Sequence, residues 1–464
     1  MTALQQPARA EGPSRPPVRV PFPVVDEVAR HCLQEEEPET VHIEVHLPGP
    51  LDEARLRVAF AGALGRHPRI LMREAPGRWY RRRYEWELTA EPDVEVVTFP
   101  APGRDALRNA RTRALTEAPP LSLSPPIRLE VVQRGGPVEG SEATDAVGET
   151  RGGASAATAE PARPLGSVLF LTINHTALDG PACLRVLATA AELYGGRDNS
   201  PAAAPVRAAE TPPPPEETPS NWSPPARVAA GTPEPSPGNG LLVTELPLPH
   251  RPKGSPYTVN DQLMVTTALT IAHWNREHGD RPRPLRITMP VDDRPRDATM
   301  PIGNGTRLVE VSFTPEELAA HAPADMPALL HRTATRTRAL KSLPRPQLGH
   351  GAALLTAPVA PVAWRAAVTR GLRRAAAPWT STTLLSNIGR IPYPLDFGAD
   401  AGRAHAVWFS APARMPRGLT VTTASTAGRL HLALRWSRAL LSHGDGAHLR
   451  DLFEHYLHTT EVTS

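Results

Sequence analysis

Between Ala202 and Gly240 the chain turns to proline, alanine, glutamate and serine, with Pro212 to Pro215 in succession, a composition that favours an extended, semi-rigid connector over a packed element. Cutting a chain of 464 residues there leaves two parts of about 200 residues, each the size of one hydrophobic core. The reading is a leader over 1–19, an N-terminal lobe over 20–201, the connector over 202–240 and a C-terminal lobe over 241–464. A second stretch, Gly135 to Pro164, holds almost no large apolar residues. It cannot offset the entropy of ordering and is expected as a flexible insertion in the first lobe.

Within each part, periodicity places the elements. Val41, Ile43, Val45 and Leu47 alternate with His42, Glu44 and His46, the pattern of a half-buried strand. Leu56, Phe60, Ala63 and Leu64 recur at helical spacing, and His67-Pro68 ends that helix before a strand-like stretch from Arg69. The apolar run Val168 to Ile173 is a strand that delivers Asn174 to Gly180 at its carboxyl end, and a helix follows with Pro181 in its first turn. In the second part, Thr258 to Asp261 opens a helix, Leu285 to Val291 is a strand leading into a loop from Asp292 to Gly305, and Arg307 to Phe313 is another strand. Thr314-Pro315-Glu316-Glu317 is a capping box that predicts a long helix. Leu419 to Ser425 and Arg429 to Trp436 flank Thr426-Ala427-Gly428 as a hairpin, and a terminal helix carries Leu449, Phe453 and Tyr456. Strands in meanders with helices between them make the fold class α+β, in layered sandwiches.

Composition narrows the function. Only Lys253 and Lys341 are lysines among 51 basic residues, so the arginine excess reads as codon usage, and a net charge of +3 gives no nucleic-acid signal. Arg81 to Arg83 and Arg370 to Arg374 read as solvated faces. Cys32 and Cys183 have neither disulfide-framework nor metal spacing and are expected as small buried residues, with no metal site. The longest apolar stretch, Gly351 to Trp364, is broken by Pro358 and Pro361 and is shorter than the roughly 20 residues of a membrane span, which predicts a soluble, cytoplasmic protein. There is no Gly-x-Ser-x-Gly elbow, phosphate loop or His-Glu-x-x-His helix, and Gly303-Asn304-Gly305 reads as a turn.

One cluster remains: His175 leaving an apolar strand, then Asp179 and Gly180 opening a helix. A strand end fixes the imidazole, which can take a proton from an amine or hydroxyl as it attacks a carbonyl. Gly180 permits close approach, and helix-start amides can stabilise an oxyanion. On its own, however, a histidine beside Asp-Gly reads first as a loop.

Asn174 to Gly180 resembles the His-His-x-x-x-Asp-Gly motif of condensation domains and related acyltransferases, the chloramphenicol acetyltransferase-like superfamily. Leu47 to Asp52, Arg66-His67-Pro68, Val259-Asn260-Asp261, Met289 to Pro295, Ser386-Asn387-Ile388-Gly389 and Pro416-Arg417-Gly418-Leu419 resemble further family segments in the same order, covering Val20 to Leu457. The resemblance implies two α/β sandwich lobes in a V around a central tunnel, with His175 as general base and the Gly180 amide on the oxyanion. It implies structural roles for Asp179, paired with Arg294, and for Asn174, which stands where the family most often has its first histidine. Asn387 and Ser386 would contact substrate.

The implied reaction moves an acyl group from phosphopantetheine, on a carrier protein or coenzyme A, to a small amine or alcohol in secondary metabolism such as nonribosomal-peptide antibiotic biosynthesis. It needs no bound cofactor, nucleic acid or membrane, and a carrier protein is the implied partner. The alternative is a catalytically silent protein that docks a carrier protein or a synthetase.

Overall fold

The structure is a computed structural model that describes residues 17–34, 37–133, 166–202, 223–297, 299–319, 326–343, 347–348 and 351–461. The expected insertion over 135–164, the leader before residue 17 and the proline-richest part of the connector lie outside the described residues.

The first half supplies strands β1 (Val18–Pro21), β2 (Thr40–Leu47), β3 (Met72–Glu74), β4 (Glu85–Leu88), β5 (Val97–Thr98), β6 (Ile127–Gln133) and β7 (Ser167–Asn174). Its helices are α1 (Val24–His31), α2 (Glu53–Arg66), α3 (Ala106–Thr116) and α4 (Gly180–Gly195). The second half supplies β8 (Asn239–Pro247), β9 (Leu285–Asp292), β10 (Thr306–Phe313), β11 (Thr383–Arg390), β12 (Ala406–Ser410), β13 (Leu419–Thr426) and β14 (Arg429–Ser437). Its helices are α5 (Val259–Glu277), α6 (Pro315–Ala319), α7 (Met326–Ser342), α8 (Gly351–Leu355), α9 (Val362–Ala375), α10 (Gly398–Ala401) and α11 (His443–Thr459). These strands form a five-stranded sheet ordered β12-β2-β7-β6-β5, a six-stranded sheet ordered β10-β9-β11-β13-β14-β8 and a small sheet ordered β1-β4-β3, each mixed α+β layer packing helices against its core.

Local chemistry sets the element ends. Asp52 caps α2 by accepting the Arg55 amide at 2.7 Å, and Thr258 with Asp261 caps α5, satisfying helix-start amides that have no carbonyl partner. Ala427 and Gly428 both have positive φ, 47° and 77°, so the β13–β14 turn is the tight two-residue kind whose twist matches its strands. The Thr314–Glu317 capping box also forms, but it opens only the five-residue α6; α7 starts at Met326, and residues 320–325 lie outside the described set.

Two expectations change. Strand β2 is buried along its whole length rather than on one face. Helix α3 covers its polar side: Arg111 reaches down to the fully buried Glu44 through Nε at 2.9 Å and Nη2 at 2.6 Å, and His46 Nε2 lies 2.6 Å from the same carboxylate. Burial opposes ionisation of Glu44, yet the bonds from His46 and Arg111 prevail and hold it down to about 2.

The connector, likewise, does not cut the chain into two separate sheets. Strand β12, from the second half, pairs antiparallel with β2 and completes the first sheet, while Ala226, Val228 and Ala229 of the connector are buried in the second core. Fully buried Arg435 on β14 crosses to β2, donating to the Thr40 carbonyl at 2.6 Å.

Removing one partner of a buried ion pair leaves an uncompensated charge, at a cost of about 3–5 kcal/mol. Arg111→Met is therefore expected to destabilise the chain by that order in urea unfolding, and adding Glu44→Leu is expected to recover most of the loss.

Candidate active site

Strand β7 ends at Asn174 and α4 begins at Gly180, so the segment between them is a tight bend held at both ends. Asn174 is buried and uses both ends of its amide there: Nδ2 donates to the Pro119 carbonyl at 2.9 Å, and Oδ1 accepts the Thr176 amide at 3.1 Å. It clamps the bend and does not line the cavity described below.

His175 is half-buried at the bend. Its backbone amide donates to the Glu39 carbonyl at 2.8 Å, and its ring Nδ1 lies 3.0 Å from the Leu178 carbonyl. A carbonyl only accepts, so Nδ1 carries the proton and Nε2 is left as the acceptor.

Asp179 organises everything around that ring. One oxygen accepts the Ala182 amide at 3.0 Å as the cap of α4; the other accepts Arg294 Nη2 at 2.7 Å and the Gly305 amide at 2.8 Å. Arg294 is held in turn by both oxygens of Asp292 at 2.9 Å and by the Gly303 carbonyl at 3.0 Å. Burial would lower the Arg294 pKa, but the Asp292 bonds and the Asp179 charge outweigh it and raise it. The Asp179–Arg294 pair implied by the resemblance is thus formed, across the two halves of the chain.

The sequence reading missed what stands beside it. Gly303-Asn304-Gly305 is not an idle turn: Asn304 Nδ2 donates to the carbonyls of His175 at 3.1 Å and Thr176 at 3.0 Å and to Asp26 Oδ1 at 3.0 Å. A Cβ on Gly305 would lie 2.2 Å from Arg294 Nε, so only glycine lets the loop close over the guanidinium. The signal was there in an asparagine between two glycines.

His175, Asp179 and Gly180 line a cavity of about 330 Å³ between the two large sheets, together with Ser386 and Asn387 of β11. Strands β9 and β11 pair for only two residues, Ile287 with Thr383 and Thr288 with Leu384, and then part. Pro290, which has no N–H to extend the ladder, sits in the opening that results. Gly180 lies under Phe409 of β12, where an added Cβ would come within 3.2 Å of the ring. Asn387 is tied into its own strand: Oδ1 accepts the Gly389 amide at 2.9 Å across a bulge, and Nδ2 donates to Asn260 Oδ1 at 3.2 Å. Among the described residues the second Nδ2 hydrogen has no partner. Among the described residues no group of His, Cys, Asp and Glu is placed to hold a metal, and no helix is long and apolar enough to cross a membrane.

With this geometry in view, the chain has the fold of condensation domains and chloramphenicol acetyltransferase-like acyltransferases. It is similar to the trichothecene 15-O-acetyltransferase of Fusarium sporotrichioides, with a TM-score of 0.62, 11% identity and 97% of each chain covered. It is also similar to the first condensation domain of the CDA synthetase, with a TM-score of 0.57, 13% identity and coverage of 96% of this chain and 98% of that one. The starter condensation domain of rhizomide synthetase, solved as a mutant in complex with C8-CoA, gives a TM-score of 0.54 at 12% identity over 93% and 91% of the chains. Two Mycobacterium tuberculosis proteins, both described as uncharacterised, are 25% identical over 412 residues, 81% of this chain and 84% of theirs. No family model matches.

Replacing Asp179 by alanine strips Arg294 of its inter-half partner and α4 of its cap, and is expected to cost about 3–5 kcal/mol in chemical unfolding. A second prediction concerns Asp26, which is 3% exposed. Burial pushes its carboxyl from 3.8 up to about 7, against the bonds from Asn304 and Trp86. The native state thus holds a proton that the unfolded chain has released, so this contribution is complete below pH 3.8 and is lost as pH rises through about 7. The melting temperature of the native sequence should fall relative to that of Asp26→Asn across that window, as thermal melts at stepped pH would read.

Proposed function

We propose that the chain is an acyltransferase of the condensation type, moving an acyl group from a pantetheine thioester on a carrier protein or coenzyme A to an amine or alcohol, in secondary metabolism. The observation that carries this reading is the imidazole of His175. Its Nδ1 is committed to the Leu178 carbonyl, and its ring stands in a cavity large enough for a substrate between two sheets.

In this reaction Nε2 takes the proton of the acceptor as its nitrogen or oxygen adds to the thioester carbonyl. The tetrahedral intermediate then expels the thiolate, which takes that proton back, leaving an amide or ester and a free thiol. The amide of Gly180 belongs to the first turn of α4, where no helical carbonyl satisfies it, and is assigned to the oxyanion. The thioester carbonyl is already activated, so positioning two substrates is worth up to about 7–11 kcal/mol in good cases. Asp179, Arg294 and Asn174 act as positioning residues, because their bonds hold the bend that carries His175. Ser386 and the free hydrogen of Asn387 are assigned to substrate.

Intact-mass detection of product, with acyl-pantetheine donors and pooled amines and alcohols, tests this. Replacing His175 by alanine is expected to lower kcat/KM by roughly a hundredfold to ten-thousandfold with the fold intact. Transfer that continues undiminished in His175→Ala, or no transfer from any donor, would refute the assignment and favour the carrier-docking role.

A further inference from the structure

The longest apolar stretch of the sequence, Gly351 to Trp364, stays largely outside the cores. Only Ala352 and Val362 in it are buried, while Leu354 is 80%, Val359 82% and Trp364 68% exposed. Helix α9 continues the pattern. Val362, Arg365, Ala366 and Thr369 face inward, and Val368 and Leu372 follow Trp364 at four-residue steps along the outside, an apolar stripe flanked by exposed Arg370 and Arg374. The fold brings the other arginine run to the start of this helix. The Arg81 carbonyl accepts the Val362 amide at 2.8 Å, and Arg365 donates to the Arg82 carbonyl at 2.7 Å, which sets exposed Trp79 and Tyr80 close by. Seven of the sixteen large apolar side chains exposed among the described residues lie in Trp79–Tyr80 and Leu354–Leu372, so they form a patch and not a scatter.

Charge decides what can cover such a patch. From Met326 to Leu395 the sequence holds nine arginines and Lys341 but no Asp or Glu. Among the described residues Arg82, Arg83, Arg370 and Arg374 make no ion pair, and the acids nearby are engaged elsewhere: Glu27 with Arg365 at 2.9 Å, and Glu74 with Arg81 and with Arg30 at 2.7 Å. Half-buried Glu85 adjoins the first run and offsets one of its charges. A second copy of the chain docking by two-fold symmetry would set these arginines against their own kind. A shaped protein partner calls for a cleft, whereas Leu354, Val359 and Trp364 project. A soft anionic layer matches both features: apolar and aromatic side chains enter the boundary of headgroups and acyl chains, and cations meet the phosphates.

We infer that this face docks on the surface of an anionic membrane, with the Trp364–Val368–Leu372 stripe of α9 at the headgroup boundary and Arg370 and Arg374 on lipid phosphates. The two arginine runs are then one binding surface and not the solvated faces expected from the sequence. Docking there seats the cavity beside lipid, because Arg373 of the same helix lines it. The inference does not depend on acyl transfer, and its test needs no turnover.

The full chain is sedimented with vesicles of equal parts phosphatidylglycerol and phosphatidylcholine, and with vesicles of phosphatidylcholine alone. Binding to the anionic vesicles is expected, weakening as salt is added, with little retention on the neutral ones. Arg370→Gln with Arg374→Gln should weaken it about thirtyfold, at about fivefold for each basic residue near an anionic surface. Trp364→Ser with Val368→Ser should weaken it about tenfold or more by removing apolar area that lipid would cover. Leu354→Ser with Val359→Ser, ahead of the helix, gives the same answer should the α9 variant fail to fold. No sedimentation with anionic vesicles would overturn the inference. So would binding indifferent to both serine pairs, which is adsorption by charge alone. A dimer in solution that Trp364→Ser dissociates, or an acidic carrier protein captured through these residues in place of vesicles, would assign the face to that partner instead.

Discussion

A single carboxylate, that of Asp179, fixes the relation between the two halves of this molecule at the place where they face each other. It caps one helix, pins the Asn304–Gly305 loop by an amide and anchors a guanidinium that is itself clasped by Asp292. Burying such a pair is unfavourable unless every lone pair and hydrogen has a partner. Here the partners come from both halves of the chain. The histidine between them is accordingly oriented by contacts that the whole fold has to assemble.

Much of this was legible from one sequence because it is encoded locally. An apolar run located β7, helical and strand patterns located α2, α4, α5 and the β13–β14 hairpin, and the cap at Thr258 announced the start of α5 through short side chains. The Asp179–Arg294 pair was accessible only through the family resemblance, since 115 residues separate its members. What escaped was non-local or masked by composition. Periodicity says that β2 has two faces, but not that α3 covers the polar one or that β12 would come from beyond residue 400 to lie along its edge. Asn304 hid inside a glycine-rich turn, where the default reading is solvent.

The likeness to solved structures fits this division. At 11–13% identity little more than the pattern of faces and caps can be shared, yet nearly the full length superimposes. Cavity walls are another matter. The opening between β9 and β11 is set by where a two-residue ladder stops, and the residues beyond that point, unlike the core, are free to differ without disturbing the layers.

The placement of β12 has a consequence for how the chain is made. During synthesis β2 and its neighbours emerge long before Ala406–Ser410, so the first sheet spends that interval with an unpaired edge strand on show. Completing it demands closure over more than 350 residues, the most non-local kind of pairing and the slowest. The amino-terminal half cannot be a finished vectorial intermediate, and a ribosome-bound or truncated chain that stops before β12 presents a sticky β edge that the cell has to shield.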